Sequence, residues 1–437
     1  MAEYFKKGDP ISMKKLLSLL LVLAMFAGLA IPSAMAEDVV TIDFWYSFEN
    51  QMVEDIMTVI ADFEAANPGI KVNASYAGSY AESNQKLLAA HAANAVPAVQ
   101  QTIQTSISTF AENGVIEPID RFIEANGDDM SVYAEGMYQA FNYNGQQYGV
   151  PAFCSVCPTM YYNKTFATDE GIEIPKTWDE FDAFLRKATI KDENGNTVRY
   201  GCSFAGWGAA YFGPIFWQNG VNAFEDEDMT VTGLGSDKAI EVVKMIKGWV
   251  DEGLVKWCYG TNASTNMRQS LIDGTSFAVF HTCAVYSVYQ PGLANNGYEV
   301  GVAFPPSGEK TIADLGGSGL TIMAKVTEEQ KQAAYKFIRW LTQPEANLVV
   351  IKATGYMPVT TTCLESEGCK EWVASNPELQ NLYDHLNDVY AAPSSPVWSD
   401  ITSKWADGLA QIFIEGVDVE TGVANYVEAI NEILADM

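Results

Sequence analysis

The sequence predicts an α/β protein of two domains, each built on a mostly parallel sheet flanked by helices. Two observations carry this: strand-like and helix-like segments alternate from Val39 onward, and 437 residues exceed what one hydrophobic core ordinarily serves. No internal repeat or low-complexity tract offers another architecture.

The chain opens with a segment outside that fold. Lys14 and Lys15 precede an uncharged apolar run from Leu16 to Ile31, and Ala34 and Ala36 stand shortly before Glu37. A basic head, a short apolar middle and small residues at the end read as a secretory signal cleaved after Ala36. The run is shorter than the roughly 20 residues a membrane-spanning helix needs. Residues 1–36 are therefore set aside as an upstream extension and signal peptide. The expected location is periplasmic or extracellular, and with no cysteine near the cleavage point the protein is not lipid-anchored.

The elements then follow in order. Val39 to Phe44 alternates and carries β-branched residues, and Met52, Val53, Ile56, Met57, Ile60 and Phe63 recur at helical spacing until Asn67-Pro68-Gly69. Ile70 to Tyr76 reads as a strand, Glu82 to Ala93 as an Ala-rich helix, and Val99 opens a third strand. Such alternation implies a mostly parallel sheet with helices on its faces. The middle repeats the grammar: a strand at Thr159–Asn163, a capping box at Thr177–Glu180 opening a helix to Ala188, and an amphipathic helix over Ser236–Gly253. Asp192–Asn196 is a hairpin turn and Glu225–Asp228 a solvated acidic loop. Ile312–Ala324 reads as a glycine-interrupted strand, Glu328–Leu341 as a helix and Trp398–Met437 as a helical tail.

Composition narrows the function. With 55 acidic against 26 basic residues the net charge is −29, which repels polyphosphate, excludes nucleic acid as a partner and suits a soluble monomer. Ten Trp and 21 Tyr supply flat faces of the kind carbohydrate sites use, although most serve the core. Seven cysteines leave at least one unpaired within the chain; by spacing, Cys363 and Cys369 are the nearest plausible bridge. Cys154 and Cys157 have redox-motif spacing but sit in an extended segment, and no second Cys or His pair stands at ligand spacing, so no metal is expected. His91, His281 and His385 lie in apolar or helical contexts that suit structural roles. Composition alone leaves open the carboxylate pair of a secreted glycoside hydrolase, but no catalytic motif supports it.

One set of motifs is more specific. Phe44-Trp45 with Glu49, Phe63–Val72, Gly145 with Tyr148–Pro151, Tyr161–Lys164, Pro175–Phe181, Trp217–Gly220, Gly316-Gly317 and Thr354–Thr360 follow one another over nearly the whole chain after residue 36. In them the chain resembles the extracellular solute-binding proteins of carbohydrate ABC importers, in the branch of maltose-binding and glycerol-3-phosphate-binding proteins.

The resemblance implies a two-lobed periplasmic-binding-protein-like fold with the ligand cleft at the hinge. Residues 37–148 with 311–357 would form lobe 1 and residues 149–310 with 358–437 lobe 2, with crossings near Tyr148–Phe153, Pro305–Thr311 and Tyr356–Thr361. It implies ligand-binding roles for Trp45, Glu49, Tyr80, Gln104, Ser155, Trp207, Trp217, Gly317 and Tyr356, with Tyr80 and Tyr356 on opposite walls. Aromatic faces would stack on a sugar while polar groups take its hydroxyls. No catalytic residue, metal or cofactor belongs to this picture; the partners are a small carbohydrate or polyol and the permease subunits of the importer. The glycerophosphate branch has paired serines after the crossing, a carboxylate after the third strand and a late arginine. Here stand Ser155-Val156, Gln104 and no arginine near Asp400–Ser403, so the expected ligand is a neutral sugar, oligosaccharide or polyol.

Overall fold

The computed structural model describes residues 39–48, 51–206 and 208–436. The expected signal at residues 1–36, Glu49 and Trp207 lie outside the described residues. Strands β1 (Val40–Tyr46), β2 (Ile70–Tyr76) and β3 (Val99–Ile103) are separated by the helices Gln51–Ala66 and Tyr80–Ala92. The first helix ends at the Asn67-Pro68-Gly69 signal, where the Asn67 carbonyl accepts the Ile70 N–H at 2.8 Å and turns the chain into β2. The second starts two residues earlier than its apolar pattern suggests. Ser79 caps it: its hydroxyl accepts the Glu82 N–H while the Glu82 carboxylate accepts the Ser79 N–H, a full capping box that puts Tyr80 in the first turn.

A hairpin, β4 (Asn142–Tyr143) and β5 (Gln146–Gln147), leads into β6 (Gly149–Cys157), all nine residues of which are buried. The second sheet holds β7 (Thr159–Asn163), β8 (Ile190–Lys191), β9 (Thr197–Ala205), β10 (Val255–Cys258), β11 (Ser276–His281) and β12 (Val300–Ala303). The chain returns to the first sheet in β13 (Ala313–Ile322), and β14 (Val389–Tyr390) pairs with the start of that strand. The first sheet runs β14-β13-β3-β1-β2 with β6 also on β13, and the second β10-β9-β11-β7-β12 with β8 on β9.

The α/β architecture is as expected, but each sheet is mixed rather than mostly parallel. β1 is parallel to β2 and β3, and β9 to β10 and β11. Against these, β13 is antiparallel to β3 and β6, and β7 to β11 and β12. Connectivity is the cause: a strand entered from the other sheet is not bound by the βαβ crossover that makes neighbours parallel.

Helices cover both sheets. Phe44 of β1 packs on Phe337, from the helix Glu328–Leu341, with ring centroids 5.4 Å apart, and Phe337 on Phe63 at 5.2 Å. The helical face read from Met52 to Phe63 is thus the one turned to β1. On the second sheet the expected tail is two helices, Trp398–Phe413 and Val419–Ala435, and the fully buried Trp405 wedges between Phe212 and Phe216 at 4.7 and 4.8 Å. Asp192–Asn196 turns β8 into β9, as its sequence requires. All seven cysteines are buried free thiols. Among the described residues no helix is long and apolar enough to cross a membrane.

Candidate functional site

The antiparallel ribbon β6–β13 joins the two halves, pairing Asp314 with Cys157 at one end and Thr321 with Gly149 at the other. Two glycines in β13 make the close pairing possible. Gly317 has φ +87°, and a Cβ there would lie 1.9 Å from the Phe153 carbonyl oxygen; at Gly316 it would lie 2.4 Å from Ser155 Oγ. No L side chain fits at Gly317, and one at Gly316 would have to displace the Ser155 hydroxyl, so this stretch of ribbon stays bare.

Above it opens a cleft of about 280 Å³, near the lower end for a small-molecule site, floored by Ser155, Cys157, Gly316 and Gly317. Tyr80, Gln104 and Tyr356 form the wall on the first-sheet side; Tyr211 and Thr282 face them from the second. Nearly all follow the carboxyl ends of strands: Tyr80 after β2, Gln104 after β3, Tyr211 after β9 and Thr282 after β11. Loops at that end of parallel strands point outward between flanking helices, where α/β sheets hold ligands.

The first wall is hydrogen-bonded within itself. Gln101 donates to Tyr80 Oη at 3.2 Å and to Ser318 Oγ at 2.8 Å, and Tyr80 donates to Ser318 Oγ at 3.2 Å. The Tyr356 hydroxyl stands next to that of Tyr80, close enough for each phenol to influence the other's titration. The two tyrosines therefore share one wall, contrary to the expectation that they oppose each other. The reason is that Tyr356 leaves the helix Pro344–Thr354, which packs on the first-sheet helix Gln51–Ala66, so it arrives from the same side as Tyr80. The ring across the cleft is Tyr211.

None of the described lining residues carries a charge. Burial pushes the phenols of Tyr80, Tyr211 and Tyr356 up, so they enter as neutral hydroxyls. Four of the five arginines after residue 36 are held by carboxylates: Arg121 by Glu117 and Glu328, Arg186 by Asp182 and Glu252, Arg199 by Glu170 and Arg339 by Asp128. The fifth, Arg268, stands near His281, whose imidazole is driven down to about 3 mainly by burial and so stays neutral. His281 bonds Tyr289 at 3.2 Å and Ser264 at 3.4 Å.

Of the residues expected to bind ligand, Tyr80, Gln104, Ser155, Gly317 and Tyr356 come together in the cleft. Trp45 does not line it. It lies inside β1 rather than past its end, half-buried, with the Lys86 ammonium 4.1 Å from its ring centroid. Trp217 is also elsewhere: it lies in the last turn of the helix Ala209–Gln218, about 9 Å along the axis from Tyr211. Its N–H donates to Asp314 Oδ1 at 3.2 Å and its ring packs on Trp405 and Trp398. Tyr211 and Thr282 were missed, although applying the strand-end rule to the second sheet as well as the first points to both.

Asp314, just below the floor, is 4 % exposed, and its carboxyl accepts a hydrogen bond from neutral Trp217. Burial pushes its carboxyl up from 3.8 to about 8. Between those values the folded state holds a proton the unfolded chain has released, so stability is full below the lower value and falls as pH rises toward the upper. Asp314→Asn, which keeps an acceptor for Trp217, is expected to flatten the decline in melting temperature between pH 5 and 8. Equal slopes in the two proteins would contradict this.

A roomier hollow, about 590 Å³, lies beside the helix Trp178–Ala188 among Lys176, Glu180 and Lys187. Charge lines it and it touches neither crossing strand, so the smaller cleft, where both halves converge, is the better site. Two sheets linked where β6 runs on into β7 and β12 returns to β13, with a cleft between them whose described lining is aromatic and uncharged, define a two-lobed solute receptor. The chain belongs to the bacterial extracellular solute-binding proteins, whose family model matches residues 58–381, and it is an exported binding protein.

Among its relatives is the sn-glycerol-3-phosphate-binding periplasmic protein UgpB of Yersinia pseudotuberculosis, 26% identical over 369 residues, 79% of this chain and 80% of that one. UgpB of Mycobacterium tuberculosis, solved in complex with glycerophosphocholine, superposes with a TM-score of 0.77 at 23% identity over 91% of this chain and 98% of that one. The GacH receptor of Streptomyces glaucescens, solved unliganded and with acarbose, also reaches a TM-score of 0.77, at 19% identity over 91% of this chain and 99% of that one.

Proposed function

We propose that this protein captures a neutral mono- or oligosaccharide or a polyol in the cleft, without turnover, and delivers it as a monomer to the permease of an ABC importer. The supporting observation is the chemistry of the lining: three phenol rings with amide, hydroxyl and backbone groups, and among the described residues neither cation nor carboxylate. Phenol faces suit the C–H side of a sugar, and neutral donors and acceptors suit its hydroxyls. A glycoside hydrolase needs two carboxyl groups flanking the bond it breaks, and the described lining supplies none.

The proposed ligand set is Tyr80, Gln104, Ser155, Gly317 and Tyr356 with Tyr211 and Thr282; Glu49 and Trp207 join it by their place after β1 and β9. The lobe partition at residues 37–148 with 311–357 and 149–310 with 358–437 belongs to the same proposal. Pairing of Val389–Tyr390 with Ala313–Asp314 supports moving its third crossing to residues 391–397, ahead of the helix Trp398–Phe413.

A glycerophosphate ligand is the second reading, favoured by relatives named for it. Against it stands the lack of a cation in the described lining, since a phosphate dianion needs a charged clamp. A thermal-shift screen against sugars, polyols and their phosphates tests the proposal, because ligand at 100 times its Kd adds about 2.7 kcal/mol to stability. Stabilisation by a neutral compound that is recovered unchanged is expected. A product formed in excess of the protein would place it among enzymes.

A further inference from the structure

The seven thiols are not alike. Cys363 and Cys369 occupy the same position in successive helices, Thr361–Glu365 and Glu367–Ser375. In each helix the N-cap hydroxyl, of Thr360 or Ser366, accepts the cysteine's N–H, at 3.1 and 3.2 Å. Ser366, which stands between the two helices, also donates its hydroxyl to the Cys363 carbonyl at 2.7 Å. The two side chains meet there, near enough that each thiol acts directly on the other's titration. We infer that Cys363 and Cys369 form an intrachain disulfide in the exported protein, tying these helices into one unit behind the cleft segment Gly355–Tyr356.

Chemistry separates this pair from the other five. Burial pushes the thiols of Cys154, Cys157, Cys202, Cys258 and Cys283 up, which keeps them protonated and inert. Cys369 alone among the seven is lowered, first by the Cys363 thiol and then by Lys352 and Lys370. Export takes the chain where thiols oxidise. There the Cys369 thiolate attacks one sulfur of an oxidant disulfide, carried by a thiol oxidoreductase or a small molecule, and expels the first leaving thiolate. Cys363 then loses its proton and attacks the Cys369 sulfur of the mixed disulfide, expelling the second. One oxidant disulfide becomes two thiols, and the protein gains one S–S bond. Closing this short loop requires only local chain, so it can precede packing of the helices.

The bond supports the site indirectly. Cys363 Sγ lies 3.8 Å from the carbonyl of Pro344, the first residue of the helix whose left-handed cap, Gly355, delivers Tyr356 to the wall. The inference rests on export, not on which ligand binds, so failure of either leaves the other standing. The test uses the exported full protein, purified without reductant, denatured with iodoacetamide present and cut with trypsin. Both cysteines fall in the peptide Ala353–Lys370. It is expected to appear unalkylated and two hydrogen masses light, and to take two alkyl groups only after reduction. Two alkyl groups without reduction, or linkage of either residue to another cysteine, overturn the assignment. Reductant is also expected to lower the wild-type melting temperature by several degrees and to leave that of the Cys363→Ser/Cys369→Ser variant unchanged. Equal responses in both would remove the stiffening role. Should the variant not fold, the peptide mass on the wild type decides alone.

Discussion

Gly317→Val is expected to destabilise the protein by roughly 3–5 kcal/mol, among the largest effects of any single substitution. Two penalties coincide at this position. The backbone has φ +87°, where a β-branched residue is strained, and the new Cβ would lie 1.9 Å from the Phe153 carbonyl oxygen. That oxygen belongs to β6, so the clash can be relieved only by parting the ribbon that joins the two halves. Denaturant unfolding of wild type and variant measures the loss. A variant within about 1 kcal/mol of wild type would mean that the ribbon is not held as described.

Tyr211→Ala and Tyr356→Ala are each expected to weaken ligand binding by about 1–3 kcal/mol, about 5- to 150-fold, by removing a stacking face and a hydroxyl. Both rings are half-buried and line the cleft from opposite sides. The competing account is that they serve only the core. It predicts a loss of roughly 3–5 kcal/mol in folding stability, with unaltered affinity in the folded fraction. Melting and calorimetry on the same variants separate the two. The nearness of the Tyr80 and Tyr356 hydroxyls adds a further expectation: Tyr80→Phe and Tyr356→Phe will not be additive in affinity, whereas Tyr80→Phe and Tyr211→Phe will be closer to it.

Most helices and strands were legible because their signals are local. Helix Glu328–Leu341 matched its apolar period, helped by a capping box in which Thr327 and Gln330 bond reciprocally. Strand direction was not legible, because β13 earns its antiparallel pairing from a return crossing that no local pattern records. The site divided along the same line. Tyr80 and Gln104 follow strand ends, which sequence marks; which way an aromatic ring points from within an element, it does not. Trp45, inside β1, turned to Lys86, and Trp217, at the far end of its helix, turned to Asp314. The shared wall of Tyr80 and Tyr356 depends on how the helix Pro344–Thr354 docks, a tertiary fact with no signature in the residues around Tyr356.

The central claim is that a cleft whose described lining carries no charge selects an uncharged ligand. Isothermal calorimetry of the exported protein tests it directly, with the best neutral sugar or polyol titrated beside glycerol 3-phosphate under the same conditions. The lining predicts saturable binding of the neutral compound, one per chain, at least tenfold tighter than the phosphate, with affinity little changed by added salt because no ion pair forms. Tighter binding of glycerol 3-phosphate that weakens as salt rises would contradict it.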